Sequence, residues 1–119
     1  MKASIKQLAA LAAISATAGL TGVSMAEFHG RAKVILMHGA SGGAGQTVTA
    51  KLQHRNGTDA WEDIDGAAFA AITNASGGTQ VIEVDADGFK DDVRLHCTVS
   101  SGATATLAAA VIGQKQYGI

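Results

Sequence analysis

The stretch HGASGGAGQT, residues 38–47, is where the chain comes nearest to a reactive motif. A phosphate-binding loop has the form Gly-x-x-x-x-Gly-Lys-Ser/Thr between a strand and a helix. Its amides cradle phosphate, its lysine neutralises charge and its hydroxyl holds magnesium. Here Gly45 and Thr47 match, but Ala40 stands at the first glycine and Gln46 at the lysine. The residues that follow, QTVTAKLQHR, alternate like a strand, so no helix N-terminus would face an anion. The stretch is expected to be a hairpin connection.

The other reactive groups give no stronger constellation. Asp85-Ala86-Asp87-Gly88, with Asp91 and Asp92 behind, resembles the start of a calcium loop, but its twelfth position is His96 where a glutamate is required. A solvated turn is expected there. His29, His38, His54 and His96 fall in separate segments, without zinc spacing. Cys97 lies on the apolar phase of its segment and is expected to be a buried, inert thiol. The sequons Asn56-Gly57-Thr58 and Asn74-Ala75-Ser76 matter only in a secreted eukaryotic chain. No catalytic residues, cofactor or metal ligands are assigned.

The elements that would position such groups follow from period. Ala32, Val34 and Leu36 alternate with Arg31, Lys33 and Ile35, and Val48, Ala50 and Leu52 with Thr49, Lys51 and Gln53. Val93, Leu95, Cys97 and Val99 alternate with Arg94, His96 and Thr98, and Ala105, Leu107, Ala109 and Val111 with Thr104 and Thr106. One apolar and one polar face mark antiparallel strands. Shorter candidates lie at 60–64, 67–73 and 79–85. Turns are expected at 39–45, Asn56-Gly57, Asp65-Gly66, 74–78, Asp87-Gly88 and Ser101-Gly102. An all-β, antiparallel β-sandwich of jelly-roll type is expected over 29–119.

Residues 1–28 are expected to be an N-terminal arm. Lys2, Lys6, the apolar stretch 8–14 and Ser24-Met25-Ala26 resemble a secretory signal. The expectation carried forward is that the segment is retained and docked on this domain or a neighbour. Leu8, Leu11, Ala12 and Ser15 have helical spacing, and extended structure is equally open. Ser15, Thr17 and Gly19 break the stretch well short of a membrane span.

The composition bounds the core and the surface. Apolar residues are 47% and aromatic ones 4%, so the core must be thin and built from Val, Ile, Leu and Ala. Charged residues are 16%, below the usual quarter, which suggests a surface partly covered by other chains. A net charge of -1 gives no footprint for nucleic acid and little self-repulsion. One cysteine excludes an intrachain disulfide, and with no proline the bends fall to 15 glycines. Trp61, the sole indole, is expected to be partly buried or a partner contact.

Over residues 30–113 the sequence resembles a family of small tailed-bacteriophage structural proteins. The resemblance rests on Lys51-Leu52-Gln53, Trp61, Asp63-Ile64, Gly66-Ala67, Phe69, Val84-Asp85, Gly88, Lys90 and Val93-Arg94. Members commonly carry aromatics where Asp91 and Asp92 stand here. The resemblance implies a non-enzymatic decoration or minor capsid protein on the outer surface of the virion head, assembled in the bacterial cytoplasm. Its implied partners are the major capsid protein and further copies of itself, first as a trimer, with no nucleic acid and no membrane. The contacts expected are Leu8, Leu11, Ile14 and Leu20 of the arm, Ser41, Gly42 and Gly43 of the loop, Trp61, and Tyr117 and Ile119 of the tail. Removing residues 1–25 should then abolish attachment and leave the sandwich folded. A tail, neck or fibre component, or a secreted binding module beginning near Glu27, are the other readings.

Overall fold

The computed structural model describes residues 3–25, 28–42, 45–73 and 77–115. Among the described residues nine strands follow in order: β1 (Ala3–Ile14), β2 (Ala18–Gly19), β3 (Val23–Ser24), β4 (Phe28–His38), β5 (Val48–Arg55), β6 (Glu62–Ala68), β7 (Gly78–Asp85), β8 (Asp92–Val99) and β9 (Ala105–Lys115). A 3-10 turn, Ala86–Gly88, joins β7 to β8.

The strands form two antiparallel sheets. The first has the order β1-β9-β4-β7, and the second the order β2-β8-β5-β6, with β3 also on β8. Because β2 and β3 pair successive parts of β8, at Cys97–His96 and then Val93–Asp92, they act as one interrupted strand. Only the β2–β3 and β5–β6 connections stay within a sheet, and every other one carries the chain across. Two four-stranded layers joined this way make a jelly roll.

The four alternating segments are the four inner strands. Their apolar phases, Ala32/Val34/Leu36, Val48/Ala50/Leu52, Val93/Leu95/Cys97 and Ala105/Leu107/Ala109/Val111, meet in one core. Met25, Phe28, Phe69 and Ile72 extend that core. Each large aliphatic side chain so buried contributes about 1.5–3 kcal/mol relative to exposure.

The head of the chain is β-structure. Strand β1 runs antiparallel to β9 from Ala3↔Gln114 to Ile14↔Ala105. Two register shifts, at Gln7/Ala9 and Ala9/Ala12, turn Leu8 and Ala9 inward together. Such irregularities erase the period of two that would have announced the strand.

Two expected turns prove to be something else. Residues 39–47 do not close a hairpin, since β4 lies in the first sheet and β5 in the second. Asp65-Gly66 is not a reversal either but an irregularity inside β6, where Lys51↔Ala68 is followed by Gln53↔Asp63. Gly66 takes φ +73 there, a conformation that a side chain at Cβ disfavours. The candidates 60–64 and 67–73 thus merge into one strand plus a single bridge, Val48↔Ile72. The chain then crosses to β7, where Gln80 clips the crossing through Ala70, donating to its carbonyl at 3.0 Å and accepting its N–H at 2.8 Å.

Candidate assembly surfaces

The two outer faces of the sandwich differ in chemistry. On the second sheet the outward phases of β5 and β8 bring Lys51, Gln53, Arg55, Arg94 and His96 together. Gln53 Oε1 accepts from Arg94 Nε at 2.9 Å and Nη2 at 2.7 Å, while Gln53 Nε2 donates to Asp63 at 2.9 Å. Lys51 Nζ holds the other oxygen of Asp63 at 2.9 Å. The guanidinium groups of Arg55 and Arg94 both lie over Trp61, each 4.4 Å from its ring centroid, a cation–π geometry. The edge formed by β2 and β3 passes close by: a Cβ at Gly22 would come within 2.8 Å of the Trp61 ring. Lys51, Gln53, Asp63 and Arg94 are thus bonded to one another, whereas Arg55 Nε and His96 Nδ1 are buried without a hydrogen-bond partner.

A second polar knot closes one end of the sandwich. Lys90 Nζ pairs with Glu62, Lys90 N–H reaches His54 Nδ1 at 3.3 Å, and Asn56 Oδ1 accepts from Asp91 N–H at 3.1 Å. Burial, reinforced by Lys90, lowers the His54 pKa from its ordinary 6.5; burial, then Arg94 and Lys51, lowers that of His96. The hydrogen bond from Lys90 lowers Glu62, and those from Gln53 and then Lys51 lower Asp63. All four groups therefore hold protons less readily folded than unfolded. Acidification below the ordinary histidine value of 6.5 loads protons onto the unfolded chain first, so stability falls from there downward, the carboxylates adding to the loss below about 4.5. Urea midpoints at neutral and mildly acidic pH should show this decline. Replacing His54 and His96 by Gln should flatten its upper part, and an unchanged slope would contradict the assignment.

The outer face of the first sheet is largely apolar, with Gln7, Lys33, Thr79 and Glu83 among its residues. The strand registers set its rows: Ile5, Ile112, Lys33 and Glu83; then Gln7, Ala110, Ile35 and Val81; then Ala108, Met37 and Thr79. Leu11, in the irregular part of β1, lines the same depression as Met37 and Thr79. Ile5 is 71% exposed, Leu11 73%, Met37 52% and Val81 53%. Exposed charge gathers at one end, in Arg31 opposite Asp85 and Lys33 opposite Glu83.

The residues expected at contacts fall in different places. Leu8 and Ile14 point into the core, and Leu20 packs against it, so these three support the fold rather than present an exposed arm. Leu11 alone of the arm's leucines and isoleucine named there is exposed. Ser41 is fully buried, its Oγ donating to the Gln46 carbonyl at 2.5 Å and its N–H to the Thr73 carbonyl at 2.8 Å; Gly42 beside it is exposed. Trp61 is partly buried in the arginine stack. Gly43, Tyr117 and Ile119 lie outside the described residues.

Ile5, Met37 and Val81 were not singled out from the sequence, although a signal was present. In RAKVILMH and ATLAAAVI both phases are apolar, where a strand with one wet face should keep one phase polar.

The acidic turn and the thiol have structural roles. Asp85 Oδ1 accepts the Asp87 N–H at 3.0 Å and caps the 3-10 turn. Cys97 is buried, and burial pushes its thiol up to about 11. At mildly alkaline pH it should resist a water-soluble thiol reagent in the folded chain and react at once in urea; rapid labelling of the native chain would contradict its placement.

No family model matches the chain, and no curated protein matches it in sequence. Its fold does match solved structures. Those of infectious bursal disease virus, Gt and Gx strains, superpose with a TM-score of 0.57 at 10% identity over 95% of this chain. The VP2 subviral particle of the same virus gives 0.53 at 9% identity, again over 95% of this chain. The chain spans about a third of the length of these proteins: 33%, 32% and 32%. What it shares with them is the fold of two antiparallel sheets.

Proposed function

We propose that this chain is a virion structural protein, and specifically a decoration or minor capsid protein that binds and stabilises the head shell of a tailed phage. The likeness of its two-sheet fold to that of VP2 in a subviral particle carries the reading. The resemblance of residues 30–113 to phage structural proteins supports it. Such a protein works by area. An interface of standard size buries about 1,600 Å² in total, and many symmetric copies then act together. Packaged DNA pressing outward must break those contacts before capsomers part.

Heads made without the chain should release DNA at a lower temperature than complete heads, and purified protein added back should restore the difference. The chain should also be present in purified heads in many copies. Its recovery with tails alone would favour the tail or neck reading. Its absence from purified virions would overturn a structural role.

A further inference from the structure

We propose that the outer face of the first sheet is a self-pairing surface, on which two copies of this chain close face to face about a two-fold axis. The pairing is read from the chain itself and goes beyond the virion role. Shape points to a second copy. On β9 the outward residues Ala108 and Ala110 are small, while Ile35 and Met37 stand higher on the neighbouring β4. The face is therefore a ridge beside a trough. A two-fold axis along the strands, between β9 and β4, seats the ridge of each copy in the trough of the other. Aligned sheet-on-sheet packing, with about 10 Å between layers, is the ordinary way that two such faces meet.

Area and charge agree with this occupant. Four strands about 4.8 Å apart, each offering roughly eight residues at about 3.3 Å, present some ~500 Å² per copy. Two copies thus bury about 1,000 Å² with the charged rim included, the lower bound for a specific interface. Arg31, Lys33, Glu83 and Asp85 stay at one end of the face, where a paired rim remains wet. Stacking this face on the second sheet of another copy would instead bury Lys51, Asp63 and Arg94, whose bonded charges are costly to dry. The pairing is therefore isologous and closes, rather than running on into a fibre.

Sedimentation of the purified full chain across the micromolar range tests this. The wild-type chain should sediment as a dimer or an even multiple of it, and Met37→Glu should halve that mass. Val81→Lys, on the edge strand of the same face, serves as a second variant, and Thr98→Glu on the second sheet should change nothing. Thermal melts check that each variant is folded. A wild-type chain that is monomeric throughout, or a mass unchanged in folded Met37→Glu and Val81→Lys, overturns the pairing. A monomer that loses shell binding in Met37→Glu would give the face to the shell and equally overturn self-pairing, leaving the virion role standing.

Discussion

A chain lacking residues 1–25 is expected to lose its cooperative fold. The deletion strips the β1 ladder from β9, and β2 and β3 from β8, leaving two inner strands as raw edges. It also removes Leu8, Ile14 and Met25 from the core, where they are 3%, 9% and 1% exposed. At about 1.5–3 kcal/mol for each side chain, the burial lost is about 5–9 kcal/mol. A domain of this size has about 5–15 kcal/mol in all. The truncated chain should bind a hydrophobic dye and show no sharp melting transition. A sharp transition near that of the full chain would make the segment a separable arm, as first expected from its sequence.

The second large effect contrasts two adjacent positions. Leu36 is fully buried on an inner strand, with Ala109 and Gln80 opposite it on the flanking strands. In a core with so few large side chains, little can move in to fill a void. Leu36→Ala should therefore cost about 2–5 kcal/mol. At about 4 °C for each kcal/mol in a domain of this size, the melting temperature should fall by about 8–20 °C. Met37, one residue on, is 52% exposed, and Met37→Ala should change stability by no more than about 0.5 kcal/mol. The reverse order of effects would mean that β4 is out of register by one residue, with every side chain on the wrong face.

What could be read in the sequence follows from how each strand is placed. β4, β5, β8 and β9 are inner strands, bonded on both sides, so their core-facing phase is apolar without interruption. The outer strands lack that constraint. In β1 the shifts around Ala9 put Leu8 and Ala9 on one face, which breaks the alternation. In β6 the irregularity at Gly66 wears the dress of an Asp-Gly turn. The crossing at 39–47 was hidden for another reason: its glycines announce a change of direction but not which sheet receives the chain. Residues such as Ser41 are fixed there by hydrogen bonds to Gln46 and Thr73, which no local pattern reveals. The apolar face of the first sheet was visible in Ile35, Met37, Ala108 and Ala110, but only once β9 and β4 are known to be neighbours does it become a surface.

The shell-binding role is tested most directly by cryo-electron microscopy of heads lacking this chain, with and without purified protein added back. The expected map gains density built of two-layered units, each of about 48 × 29 × 22 Å, at symmetry-related positions on the outside of the shell. A map that gains nothing at saturating protein, while the chain stays folded in the supernatant, would contradict it.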